Sequence, residues 1–216
     1  MTANNDSGIT RHRPAPQQAR ARATVARIQE AARDILVEAG PHGLNTNLIA
    51  ERAGVNVATL YNYYPDKFAV LEHLFSDFEE QRAGYVREQL ELLGPDSDLA
   101  EWASAIVDKL AEMRTGGGYQ IALRRALVSV PGLAGLDLDS IVSISKGLET
   151  ALARTKRWPE GAPLADVAGL VVEVITNTLD AAFAQSPPDV AKIDELKTMV
   201  DAYLMRSIAV AQGDAT

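Results

Sequence analysis

Helical periodicity governs almost the whole chain. From about Gln17 to residue 211, apolar side chains recur at three- and four-residue spacing, and only short Gly/Pro breaks interrupt them. No stretch alternates with period two between turn residues, so the predicted fold class is all-α, with about nine helices. In helix one, Ile28, Ala31, Ala32, Ile35, Leu36 and Ala39 form the apolar stripe, and the GPHG tetrapeptide at 40–43 stops it. Asn45 can cap a short second helix that Gly54 ends. Asn56 can cap a third, which must finish near Tyr64 because Pro65 disfavours helical backbone in the residue before it. Pro65 suits the first turn of helix four, which runs to about Leu93 with Phe68, Leu71, Leu74, Phe75 and Phe78 on one face. Five more helices are predicted at about 97–114, 118–130, 136–157, 163–185 and 188–211. Asp137 and Asp139, in the GLDLDS turn, read as capping residues.

The 216 residues are 47% hydrophobic, enough to bury a sizeable core. There is no cysteine, so no disulfide framework, thiolate metal site or cysteine nucleophile is available, and a reducing cytoplasm is the expected location. No apolar run approaches the roughly 20 residues of a membrane helix, and the polar, proline-containing start lacks the apolar segment of a signal peptide.

A net charge of −8 argues at first against a nucleic-acid partner. The charge is unevenly spread, however. Residues 1–70 carry eight Lys/Arg against six Asp/Glu, and the remainder carries thirteen against 23. Between Arg11 and Arg33 stand six arginines and a single acid, Glu30. A basic N-terminal part joined to an acidic remainder is the electrostatic footprint of a DNA-reading unit attached to something with another task. Residues 1–16 read as a disordered basic arm, 17–64 as a helix-turn-helix domain and 65–216 as a second helical domain.

The stretch from Asn45 to Lys67 concentrates the chemistry. Ala50 lets helices two and three approach, Gly54 allows the positive-φ turn four residues later, and Val55 and Leu60 fill the wedge between the helices. Val57, Ala58, Thr59, Tyr61, Asn62 and Tyr63 then cover the exposed faces of helix three. A major groove admits one helix, whose first turns read base edges while flanking groups hold phosphates. A tyrosine-rich core segment with incidental caps is the plainer reading, since an A-x-x-x-G turn alone has many false positives. The ordered combination of basic arm, helix, turn, capped short helix, Pro65 and Lys67 favours DNA.

The segment AARDILVEAG…NTNLIAERAGVNVATLYNYYPDKFAVLEHLF, residues 31–75, resembles the N-terminal DNA-binding domain of the tetracycline-repressor (TetR) family of bacterial transcription regulators. The resemblance covers about a quarter of the chain. It implies a helical ligand-binding and dimerisation domain behind the DNA-binding one. By position it also implies that Thr46, Tyr61 and Lys67 hold phosphates, and that Val57, Ala58, Thr59 and Asn62 touch bases or adjacent backbone. Tyr63 stands where a histidine is common, Tyr64 where phenylalanine is common, and Asn56 where serine is usual. The caps Asn45 and Asn56 are grouped with the DNA-facing residues. Arg20, Arg22 and Arg27 read either as a solvated face of helix one or as DNA contacts; a role at phosphate or the minor groove is favoured for at least one of them.

Two arrangements fit helices eight and nine equally on periodicity: the centre of a monomeric core, or half of a two-fold four-helix bundle. The resemblance tips this toward a homodimer, with Val171, Ile175, Leu179, Ile193, Leu196, Val200, Tyr203 and Leu204 at the interface. An unidentified small-molecule effector is expected in the second domain, with Phe78, Trp102, Met113, Tyr119, Arg124, Thr176, Asn177 and Phe183 as candidate lining residues. The expected DNA partner is a near-palindromic operator. No catalytic residue, cofactor or metal is expected: His12, His42 and His73 are scattered, and neither a P-loop nor a G-x-S-x-G elbow occurs. The competing reading is a helical small-molecule-binding module or enzyme in which the tyrosine-rich helix is structural.

Overall fold

The computed structural model describes residues 16–115, 118–129 and 133–213. All elements among these residues are helices: α1 (Pro16–Gly43), α2 (Thr46–Arg52), α3 (Val57–Tyr61), α4 (Lys67–Leu92), α5 (Leu99–Glu112), α6 (Tyr119–Ser129), α7 (Ala134–Arg154), α8 (Leu164–Ala182) and α9 (Val190–Gln212). Apart from Pro16, which opens α1, the arm expected at 1–16, with Arg11 and Arg13, lies outside the described residues.

Local chemistry sets the boundaries. Asn45 accepts from the Leu48 N–H and Asn56 from the Ala58 N–H, satisfying donors that the first turns of α2 and α3 leave open. Asp66 does the same for α4 through the Ala69 N–H, so α4 begins at Lys67 and Pro65 stays outside it. This corrects the expected start: the carboxylate cap ends the turn that proline begins. Gly40 interrupts the regular path of α1 with φ 64°, and one further turn follows before Leu44. Helix α7 starts at Ala134, so Asp139 lies inside it rather than capping it; the Asp137 side chain falls outside the described residues.

Two apolar cores form. The first gathers Ile28, Ile35 and Leu36 of α1, Ile49 of α2, Leu60 of α3, and Val70, Leu71, Leu74 and Phe75 of α4; it is completed by Leu123 and Leu127 of α6. The second is built from Val86 and Leu90 of α4, the inner faces of α5 and α7, and much of α8 and α9. Helix α4 therefore belongs to both cores. Helix α6, distant in sequence, packs on α1 and ties the second half of the chain to the first. Phe68, expected on the buried face of α4, is instead exposed at its open first turn, with the Lys67 ammonium 5.5 Å from its ring centroid.

The residues expected at the interface differ in burial. Val171, Ile175, Leu179, Ile193, Leu196, Val200 and Leu204 are all buried within the single chain, where α8 packs against α7 and α9 and α9 packs against α5. Side chains already removed from water have nothing left to bury against a partner. Tyr203 alone of the eight stays partly open, beside Leu170, Val174 and Met199 along a shallow apolar groove between α8 and α9.

Candidate nucleic-acid interface and ligand cavity

Helices α2 and α3 are joined by the turn at Gly54, whose φ of 62° is in the left-handed region that glycine enters without steric cost. Ala50, almost without exposed surface, sits where the two helices come together, and the Val55 N–H donates back to its carbonyl at 3.0 Å. Leu60 is completely enclosed and contributes about 2 kcal/mol of burial. The wedge thus fixes α3 rigidly relative to α2, with the opposite face open.

That open face carries the polar groups. Ala58 and Asn62 are exposed, while Thr59 and Val57 are partly buried, Val57 resting on the first core. Tyr61 and Tyr63 both keep more than a third of their surface open. The Tyr61 hydroxyl meets the Thr46 hydroxyl at 3.1 Å, so the last residue of α3 and the first residue of α2 present two hydroxyls side by side. Lys67 begins α4, at the far end of the same short loop.

Three arginines of α1 are exposed but not equivalent. Arg20 and Arg27 are seven residues apart, two helical turns, and so share one side of α1; Arg22 points away from it. The Arg27 guanidinium lies beside the Gly54 turn: a Cβ placed on Gly54 would be 3.9 Å from Arg27 Nη1. Arg27 is thereby brought next to the helix-turn-helix, whereas Arg52 of α2 is held by Glu38 at 2.7 Å.

Beneath the recognition helix runs a polar relay. Tyr64 is buried and its hydroxyl pairs with His73 Nδ1 at 2.8 Å; Asp77 lies near His73 Nε2 at 3.6 Å and accepts from Gln29 Nε2 at 2.7 Å. Desolvation, reinforced by the Asp77 carboxylate, pushes the Tyr64 phenol up to about 12. Arg33 of α1 stacks over the Tyr119 ring of α6 at 5.4 Å, which gives Tyr119 a structural contact between the two halves.

The second core encloses an apolar cavity of about 40 Å³ bounded by α4, α5, α7, α8 and α9. Of the eight residues predicted for an effector, Trp102 and Thr176 line it; Phe78, Met113, Tyr119, Arg124, Asn177 and Phe183 do not. Phe78 is buried in α4, Asn177 is exposed on α8, and Met113 and Phe183 end α5 and α8. Arg124 is buried against Asp180, which also takes Arg114 at 2.9 Å, so one carboxylate of α8 joins α6 and the turn that follows α5. Burial lowers the Arg114 pKa from its usual value, and Asp180 opposes that shift.

The cavity includes one residue that sequence reasoning passed over. Arg82 is buried, with Nε donating to Glu79 Oε1 at 2.8 Å and Nη2 to both Glu79 Oε2 and Ser140 Oγ at 2.7 Å. A signal was available: Phe75, Phe78, Arg82 and Val86 continue one three-and-four spacing, which places a cation in an apolar register.

Fold and site together define a helix-turn-helix unit joined to a larger helical body. Residues 28–74 match the sequence model of the family described as bacterial regulatory proteins, tetR family. The chain's fold is shared with solved structures along nearly their whole length. A TetR-family transcriptional regulator from Streptomyces coelicolor is 24% identical, with 85% of this chain and 99% of that one covered at a TM-score of 0.59. The FadR regulator of Bacillus subtilis, solved with stearoyl-CoA, is 18% identical over 82% and 98% at 0.65. A transcriptional regulator from Rhodococcus sp. Rha1 is 18% identical over 84% and 96% at 0.66. None of the curated proteins matches the chain by sequence.

Proposed function

We propose that the protein is a homodimeric repressor that binds a near-palindromic operator and leaves it when a small molecule fills the cavity of the second core. Residues 17–64 read the DNA, and residues 65–216 bind the effector and form the dimer. The observation that carries the DNA-binding half is the adjacency of the Thr46 and Tyr61 hydroxyls on the open face of a rigid helix-turn-helix. Of two hydroxyls bonded to each other one donates inward and the other keeps its proton for a phosphate oxygen, and Lys67 adds a cation at the start of α4. Ala58, Thr59 and Asn62 face the base edges, with Val57 and Tyr63 at their margins. Arg27 and Arg20 hold backbone from one side of α1.

The dimer uses the apolar side of α8 and α9 that the chain leaves uncovered. Leu170 and Met199 are each more than two-fifths exposed, and Val174 and Tyr203 lie partly open between them. Pairing this strip with its two-fold copy gives a four-helix bundle and sets the two recognition helices one helical turn of DNA apart. A relative of the same fold solved with an acyl-CoA supports a ligand-responsive second domain.

A mobility-shift titration on the DNA upstream of the protein's own coding sequence tests the reading at moderate salt. Sequence-preferring binding is expected; equal affinity for unrelated duplexes of the same length overturns it.

A further inference from the structure

We infer that the effector is a compact, uncharged, largely hydrocarbon molecule carrying one hydrogen-bond acceptor. This rests on the reading of the cavity as the effector site. The walls are aliphatic and aromatic except at Arg82 and Thr176. The polar edge of Trp102 is unavailable, because its Nε1–H donates to the Gln89 carbonyl at 3.2 Å and leaves the carbon rim for contact. A sugar or other many-hydroxyl ligand would strand several polar groups here at a cost of about 1–3 kcal/mol each.

Arg82 decides the question of charge. Its guanidinium is already held by both oxygens of Glu79, within a buried ion pair that the Ser140 hydroxyl completes. A carboxylate or phosphate entering the cavity would have to share a guanidinium that Glu79 already neutralises in a desolvated site, while the neighbouring Arg114 is taken up by Asp180, so its charge gains no unpaired partner there. A neutral oxygen faces no such penalty. The Arg82 Nη1 makes no hydrogen bond among the described residues, so it is the donor for a ketone, ester or hydroxyl oxygen. At about 40 Å³ the space admits a small molecule only when neighbouring helices part slightly, so the bound state differs in helix spacing from this one.

The test uses the full-length protein and three probes of similar size: acetophenone, ethylbenzene and benzoate. Calorimetric titration should rank acetophenone tightest, ethylbenzene several-fold weaker, and benzoate at least tenfold weaker than acetophenone. Glu79→Gln removes the competing carboxylate and should bring benzoate up to acetophenone or beyond it. Ala103→Leu and Val172→Phe fill the cavity from two different walls, and each should weaken acetophenone at least tenfold while circular dichroism reports the native helix content. Benzoate binding as tightly as acetophenone to the unaltered chain, or acetophenone binding that survives a folded filling variant, overturns the inference. The same samples are assayed on upstream DNA: acetophenone that binds the cavity without weakening the DNA complex leaves the ligand class standing and refutes the effector role instead.

Discussion

The hydroxyls of Thr46 and Tyr61 stand 3.1 Å apart although fifteen residues separate them in the chain. The first begins α2 and the second closes α3, so the turn at Gly54 is what brings them together.

Removing either hydroxyl should weaken DNA binding without changing what is recognised. Thr46→Val and Tyr61→Phe are each expected to lower affinity about three- to tenfold, equivalent to about 1 kcal/mol for one hydrogen bond. The loss should be alike for operator and unrelated DNA, and the salt dependence should keep its slope because no cation is lost. In a double-mutant cycle the two losses should fall short of additive, since one pair serves one phosphate. Fluorescence anisotropy at several salt concentrations measures all of this.

Lys67→Ala should behave differently from the hydroxyl variants. The affinity falls uniformly across sequences and the log–log salt slope drops by about 1, because one fewer counterion is released. Asn62→Ala, in contrast, should change which bases are preferred while the salt slope holds. An unaltered base preference would remove Asn62 from the reading set.

Gly54→Ala isolates the cost of backbone conformation. A methyl there meets only the end of Arg27 at 3.9 Å, so space is not the obstacle; the φ of 62° is. The variant should lose about 1–2 kcal/mol of stability in urea titration, as expected for an L residue held left-handed.

The phenol of Tyr64 gives a pH prediction. Its folded pKa of about 12 lies above the ordinary 10.0, so the folded state holds the proton more tightly than the unfolded chain does. The stabilisation is full below pH 10 and is lost as pH rises from about 10 to 12. Tyr64→Phe should flatten that part of the Tm-versus-pH curve relative to the unaltered protein; parallel curves would show that the phenol does not contribute.

On α8 and α9 the two faces should respond in opposite ways. Leu170→Asp or Met199→Asp should give folded monomers in light scattering, because these side chains are exposed in the single chain. Val200→Asp, 2% exposed, should unfold the chain by burying an unpaired charge.

What was legible in the sequence follows from distance along the chain. The Asn45 and Asn56 caps bond to groups two or three residues away, so local chemistry reveals them. Leu60 and Tyr64 were readable as scaffold because they stand four residues apart, about one helical turn, and so share one side of the segment between Gly54 and Pro65. The orientation of α8 was not readable. It is apolar around most of its circumference, so Val171 and Leu170, neighbours in sequence, are equal candidates for core or surface until α7 and α5 are in place. The cavity draws its walls from five helices, and no periodicity within one helix records where the others stand. Arg82 was overlooked for a related reason: a charged residue reads as solvated unless its partners, Glu79 and Ser140, are seen around it.

The continuity of α4 has a mechanical consequence. Lys67 and Arg82 lie on one unbroken helix, fifteen residues and therefore about 22 Å apart. If the cavity wall tips that rod by only about 5°, its far end swings by about 2 Å, several times the half-ångström latitude of a hydrogen bond. A ligand too small to be noticed at the DNA can thus be felt there as leverage.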